Sequence, residues 1–341
     1  ILGKTNLSEW AYYFCNNCPS GYSALGGQTL NPYGRKIFDS GGSSSGSGAA
    51  ISANFSSVSL GSETSGSILS PSSANSIVGL KPTIGLVSRS GIVPISSTLD
   101  TSGPMTKNVI DNAIVLKAIS GFDDNDSMSV NNVDIDLESI VSSSLKGKRF
   151  GVFNEFLNDS LYLNAVNKIE KLGGAIIKFN PPQINFNGFR KILDYDMKND
   201  LPVYFKNNNI SFKSVNDIVE FNKKDSLNRA PYGQGIFKSI VSDSTKLNEI
   251  SSIKTRIKIE GKKYFSTAIN KHKLDAIISI NNYHAGYAAG AYYPCLTIPM
   301  GYNKIGKPFN LTFISESFTE NKLLQIGYAF EKETGLRVKP F

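Results

Sequence analysis

An α/β fold is what the sequence predicts, and three observations carry it. The chain has 341 residues, 40% apolar and 19% charged, enough to bury one large core and outside the compositions of disordered, collagen-like or coiled-coil chains. Strand-sized apolar runs alternate with amphipathic helical patterns from residue 149 to the end. No apolar run approaches the roughly 18 residues a membrane-spanning helix needs. The longest, such as Leu274 to Ile280, are strand-sized.

Along the chain, residues 1–110 are poor in charge and rich in Gly and Ser. Between Ser40 and Ser67 there are 12 Ser and 6 Gly, which on composition alone would be a linker. Ala49, Ala50, Ile51, Ala53, Val58, Leu60, Ile68 and Leu69 are interleaved, however, and predict a small-residue helix, a short strand and another tight loop. Small side chains let backbones approach a ligand closely, so this stretch is a packed site. Farther on, Arg149 to Phe153 reads as a strand and Leu161 to Leu172 as a helix. Ala175 to Phe179 reads as a strand after the Gly173-Gly174 helix stop. Ser211 to Lys224 and Ser244 to Asn270 read as helices separated by Pro231-Tyr232-Gly233. Leu274 to Ile280, Leu296 to Pro299 and Leu311 to Ser315 read as strands, and Glu320 to Thr334 as a closing helix. The expected organisation is one domain over 1–341, lacking an N-terminal segment because the chain opens on Ile1. Within it lie a core in 1–110, a helical, peripheral part in 111–273, and the last strands and helix in 274–341.

The net charge of +8 is regional: residues 190–273 carry 17 Lys/Arg against 9 Asp/Glu, and the rest of the chain is balanced. In the Ser244–Asn270 helix, Leu247, Ile250, Ile253 and Ile257 share one side while Lys254, Lys258 and Lys262 share another. That pattern describes a solvated helix face rather than a nucleic-acid surface. Three cysteines do not make a disulfide framework, and a reducing, cytoplasmic compartment is the expectation. Cys15 and Cys18 read as two unrelated thiols ahead of a disulfide, with redox or metal use last.

Histidine is nearly absent. His272 lies in a Lys-His-Lys run, so His284 is the one histidine placed to act as a base, and a hydrogen-bonded structural role is the more frequent finding for such a residue. Two histidines with no H-E-x-x-H motif argue against a metal centre, and no cofactor is implied. Gly42-Ser43-Ser44-Ser45-Gly46 matches the nucleophile-elbow pattern around Ser44, but the match is cheap in so serine-rich a stretch and lacks a leading strand. Gly3-Lys4-Thr5 and Ser251-x-x-Lys254 read as chance. What remains is a pair of serine loops, Gly41 to Gly46 and Thr64 to Ser67. Without histidine, a serine nucleophile could pass its proton through a second hydroxyl to a neutral lysine. Consecutive backbone amides in a tight loop could hold the oxyanion.

At these residues the chain resembles the amidase signature family, without a gap from Gly41 to Val109 and more loosely over nearly the whole length. Leu2 to Asn6, Gly27 to Pro32, Leu274 to Ala276, Thr297 to Pro299 and Tyr328 to Glu331 fit as well. The resemblance implies a mixed β-sheet core covered by helices on both faces, and hydrolysis of a carboxamide to acid and ammonia through a serine acyl-enzyme. By position it implies Ser67 as nucleophile and Ser43, 24 residues earlier, as the bridging serine joined to Gly42 by a cis peptide bond. Thr64, Ser65, Gly66 and Ser67 would supply the oxyanion-hole amides. Gly42, Ser44 and Trp10 are expected at the substrate. Trp10 to Tyr13 would either wall the acyl pocket or pack in the core, and Arg89 and Asp100 would form an internal ion pair beside the site.

Leu7 to Ala11 and Gly21 to Thr29 place the chain nearest the peptide-amidase-like branch. Ser65 departs from the acidic residue expected there, and the Cys15 to Cys18 insertion is unfamiliar. The family's base is a lysine ahead of the Gly3 to Asn6 segment, so neither Lys4 nor Lys36 is that lysine. An N-terminal fragment or second chain is expected to supply it beside Ser43, across an open groove. The other expected partner is a small amide or peptide amide, with neither nucleic acid nor membrane. The competing readings are a tRNA-dependent amidotransferase A subunit, motivated by the basic stretch 190–273, and a catalytically inactive protein of the same fold.

Overall fold

The structure is a computed structural model that describes residues 1–131 and 134–340. Near the start, β1 (Tyr22–Ser23) and β2 (Gly27–Gln28) form a small antiparallel hairpin. The main sheet contains β3 (Val58–Glu63), β4 (Val78–Lys81), β5 (Thr101–Thr106), β6 (Arg149–Phe153), β7 (Ala175–Phe179), β8 (Ala276–Ile280), β9 (Cys295–Tyr302) and β10 (Pro308–Ile314). Its eight strands run in the order β3-β5-β4-β9-β10-β8-β6-β7. β6 is parallel to β7 and β8, and the other neighbours are antiparallel, so the sheet is mixed.

Pleating sorts the apolar side chains between two helical layers. Ala276, Ile278 and Ile280 of β8 join one core with Leu116, Tyr162, Ile169 and Phe330. Ile277 joins the other with Phe265, Ala268 and Ala288. Helices therefore cover both faces, as the fold class requires. β6, β7 and the closing helix Glu320–Thr334 match their expected bounds, and β9 runs past Pro299 to Tyr302.

Helices at Phe189–Asn207, Val215–Lys223, Gly235–Ser242 and Leu247–His272 make a layer beside the N-terminal segment. Met197, Leu201, Phe205 and Phe237 pack there on Phe14, Cys15 and Cys18. Ile192, Ile250, Ile253 and Ile257 pack on Ile84, Ile95 and Leu99, which anchors this layer to the serine-rich part of the chain. The Phe189–Asn207 helix was not among the sequence expectations. It carries Pro202, a residue that ordinarily breaks a helix interior.

Three expectations are corrected here. Cys15 and Cys18 are joined by a disulfide rather than left as separate thiols, because the exposed Asn16-Asn17 turn brings their Cα atoms to 5.5 Å. Leu247, the first residue of its helix, is exposed while Ile250, Ile253 and Ile257 are buried. Lys254 leaves the solvated stripe: its Nζ lies 2.5 Å from Oδ1 of buried Asp196, so part of the basic surplus serves an internal charge. Among the described residues, no helix is long and apolar enough to cross a membrane.

Candidate active site

Two serine loops meet at the edge of the sheet. The first, Ser40–Ser44, leads into the helix Ser45–Ser52, and the second joins β3 to the helix Leu69–Ala74. Gly41 has φ +68°, and a Cβ there would lie 2.6 Å from the Pro71 Cα, so both its conformation and its space demand glycine. The Gly42–Ser43 peptide is cis. The Ser44 N–H donates to the Ser67 carbonyl at 3.1 Å, and the Ser8 N–H donates to the Ser43 carbonyl at 3.0 Å. Residues far apart in sequence are thus held together by main-chain bonds, which need no particular side chain.

The second loop is tied at both ends. Buried Glu63 accepts from the Ile68 N–H at 2.7 Å and the Leu69 N–H at 3.0 Å, bridging the ends of the Thr64–Ser67 turn. Burial pushes its carboxyl pKa up, while the buried Lys81 cation nearby, together with the amides it accepts from, opposes that rise. The Thr64 hydroxyl donates to Asp100 Oδ1 at 2.5 Å, and Asp100 Oδ2 accepts from the Ile95 and Ser96 amides at 2.9 and 2.8 Å. Burial raises the Asp100 pKa to about 6 against the opposing hydrogen bonds from Thr64, Ser96 and Ile95. Gly66 sits at φ +93°, where an added Cβ would come within 3.0 Å of Asn282 Nδ2.

This framework floors a cleft of about 540 Å³. Gly42, Thr64, Ser65, Gly66 and half-buried Ser67 line it, with Ala11, Tyr12, Tyr13, Ile95 and Asn282 in the walls and exposed Lys307 beside them. Ser43 and Ser44 line a separate cavity of about 440 Å³ with Asn6, Leu60 and Ser62. The Ser44 hydroxyl is committed to β3, donating to the Ser62 carbonyl and accepting from the Ser62 N–H, both at 3.1 Å. Trp10 lines neither space but a third, apolar one.

Arg89 and Asp100 do not pair. The Arg89 guanidinium forks onto Asp126, with Nε to Oδ2 at 2.9 Å and Nη2 to Oδ1 at 2.5 Å, because Asp100 is already filled by Thr64 and two amides. His284 is buried, stacked on Phe153 at 4.1 Å, and held by Ser279 at 2.6 Å and Tyr264 at 3.1 Å. Burial lowers its pKa to about 4, so the ring is neutral and structural at physiological pH. Lys4 and Lys36 are exposed. The lysine ammoniums that hydrogen-bond within the described residues are those of Lys81, Lys117, Lys191, Lys198, Lys223 and Lys254, none of them on Ser43. Among the described residues, no cluster of His, Cys, Asp and Glu could hold a metal ion. Sequence reasoning passed over Glu63 and Lys81. Lys81 had one signal, a lone charge closing the apolar, strand-like run Ile77-Val78-Gly79-Leu80, and Glu63 was the single charge between Ser40 and Ser67.

The sequence profile of the Amidase family matches residues 1–279. The chain belongs to the amidase signature family. An amidase-family protein of Arabidopsis thaliana is 34% identical over 355 residues, across 100% of this chain and 69% of that one. The crystal structure of an amidase family protein from Bacillus anthracis superposes with a TM-score of 0.94 at 35% identity, covering 99% of this chain and 69% of that one. Peptide amidase from Stenotrophomonas maltophilia gives 0.92 at 34% identity, covering 99% and 74%. The A subunit of glutamyl-tRNA(Gln) amidotransferase from Caldanaerobacter subterraneus is 31% identical over 381 residues, across 100% of this chain and 75% of that one. This amidase thus spans about two thirds to three quarters of the length of these relatives, and amide hydrolysis is the activity its family membership assigns.

Proposed function

We propose that this amidase cleaves the terminal C–N bond of a small carboxamide or a peptide C-terminal amide, with Ser67 as nucleophile and Ser43 as proton relay. The observation that carries the reading is the Ser44 N–H to Ser67 carbonyl bond of 3.1 Å, which sets the two serine loops side by side at the cleft floor. The Ser67 oxygen attacks the amide carbon while its proton passes through the Ser43 hydroxyl to a neutral amine. The amides of Thr64, Ser65, Gly66 and Ser67 receive the oxyanion, and the Glu63 and Asp100 bonds hold that turn before reaction, when such donors act without reorganisation. Collapse breaks the C–N bond and the relayed proton leaves with ammonia. Water then reverses the sequence on the ester and frees the acid.

The base in this reading is a lysine from outside the present numbering, reaching Ser43 through the 440 Å³ cavity that Ser43 lines. Lys4 and Lys36 face solvent instead. The peptide-amide substrate class rests on the likeness to the Stenotrophomonas peptide amidase. Ammonia release from butanamide and from a blocked dipeptide amide tests the assignment. In the full-length polypeptide, Ser67→Ala is expected to lower kcat by at least about 1,000-fold, the scale seen when one member of a nucleophilic unit is removed. Unchanged release would discard Ser67 as nucleophile.

A further inference from the structure

Another segment of the chain meets the serine loops. β8 ends at Ile280, and Asn281 to His284 lead from it into the helix Ala285–Ala291. This segment packs against the Thr64–Ser67 turn. A Cβ at Gly66 would lie 3.0 Å from Asn282 Nδ2 and 3.5 Å from the Ala285 Cβ, and one at Gly286 would lie 3.6 Å from Ser65 Oγ. Asn282 lines the 540 Å³ cleft together with Gly66 and Ser67.

The segment is fixed by bonds that do not use the Asn282 side chain. The Tyr283 N–H donates to the Ile280 carbonyl and the Ala285 N–H to the Asn282 carbonyl, both at 3.0 Å. Asn281 Oδ1 accepts from the Asn310 N–H at 2.8 Å, so that side chain is committed to β10. His284 is held by Ser279, Tyr264 and the Phe153 ring. Among the described residues no hydrogen bond engages the Asn282 carboxamide, although side chains before and after it are engaged. It therefore has two donors and an acceptor to offer in the cleft. The charged residues of that lining are Asp39 and Lys307, and a neutral amide gives neither of them a charge to hold.

We propose that Asn282 selects the scissile carboxamide by pairing with it, amide to amide. Asn282 Nδ2 donates to the substrate carbonyl oxygen, and Oδ1 accepts from the substrate N–H on the same side as that oxygen. Nδ2 lies against Gly66, the residue before Ser67, so it is placed beside an oxygen received by the amides of the turn. A carbonyl oxygen has two lone pairs and can accept from both. An ester of the same acyl group lacks the N–H and leaves Oδ1 unpaired, so the pair discriminates by hydrogen-bond complementarity. This rests on the hydrolase reading and adds to it the residue that tells an amide from an ester.

A blocked dipeptide amide and its methyl ester test the pairing, because they share one acyl group. In the protein carrying Ser67→Ala, calorimetric titration should give a dissociation constant about tenfold lower for the amide, the scale of one hydrogen bond whose acceptor is otherwise left unpaired. Adding Asn282→Leu, which keeps the bulk, should bring the two constants within about twofold of each other. With Ser67 intact, Asn282→Leu should lower kcat/KM about 100-fold for the amide and about tenfold for the ester, with the melting temperature within about 2 °C. If the leucine variant unfolds, Asn282→Asp gives a second reading. It keeps the shape, replaces the donor by an anion and should weaken amide and ester alike by at least about tenfold. An amide preference in binding that Asn282→Leu leaves unchanged, equal losses of kcat/KM for the two substrates, or undiminished binding to the aspartate variant would overturn the pairing. If the preference is present and is lost with Asn282, but the parent enzyme frees no ammonia, the hydrolase reading fails and the pairing stands. Ammonia release with an unmoved amide-to-ester ratio would reverse that outcome.

Discussion

Residues 40–106 and the helices between 189 and 272 are held by different forces. In the first region the buried side chains include Ser43, Ser44, Ser45, Ser47, Glu63, Thr64, Lys81 and Asp100, and the shape comes from hydrogen bonds to particular main-chain groups. In the second, Ile192, Leu201, Phe205, Phe237, Ile257 and Phe265 are buried and the shape comes from apolar area removed from water. Each directional bond adds little net stability but is specific to its donor and acceptor, whereas burial stabilises in proportion to the apolar area removed from water and is non-directional. A substitution among the serine loops should therefore change rate more than stability, and one in the helical layer should do the reverse.

The largest test of that contrast is Ser43→Ala. It is expected to lower kcat by about 1,000-fold or more while the melting temperature stays within about 2 °C, since one hydroxyl is lost without opening a cavity. A kcat within tenfold of the parent would break the contrast at its strongest point. Next is Phe237→Ala, which empties a buried ring contacting Trp10 at 5.1 Å and Phe14 at 5.0 Å. Denaturant titration should show a loss of about 3–5 kcal/mol, the range for deleting a buried aromatic, with kcat per folded molecule within about threefold.

The smallest effect sharpens the comparison through pH. Asp100 is buried with its pKa raised to about 6, so the folded state takes up its proton before the unfolded state does. Its titration alone makes the fold more stable as pH falls from about 6 toward the unfolded value near 4, and leaves a constant penalty above 6. Activity should move the other way, because a protonated carboxyl accepts poorly from Thr64, Ile95 and Ser96 and loosens the oxyanion turn. We expect kcat to fall below pH 6 in the parent. In Asp100→Asn kcat should be about tenfold lower at pH 7.5 and should lack that acid limb. Coincident pH–rate profiles for the two proteins would remove Asp100 from the positioning of the turn.

Legibility in the sequence followed the same division. The two serine loops stood out because their constraint is local: tight turns and close backbone approach demand Gly and Ser in a fixed order, while the roles expected of Ser43 and Ser67 within them came from the family resemblance. The pairing of Arg89 was misread, because which of Asp100 and Asp126 lies nearer depends on how the Ser88–Asp126 region folds back, and both aspartates are equally available in sequence. The Cys15–Cys18 bond was missed because spacing alone does not say whether the intervening turn closes. The helix Phe189–Asn207 escaped because Pro202 argues locally against it, and the packing of Met197, Leu201 and Phe205 overrides that argument.

By itself, then, the sequence determined the α/β class, the strands with unbroken apolar runs, the serine loops and the membership of the family, all properties written in contiguous residues. Tertiary structure alone decided that Glu63 and Asp100 hold the turn, that Lys254 answers Asp196, and that Ser44 is bound to Ser62. The physical reason is range. Backbone conformation and amphipathic period are set by neighbours a few residues away, whereas the partner of a buried charge or the shape of a cavity depends on which distant segments the core brings into contact.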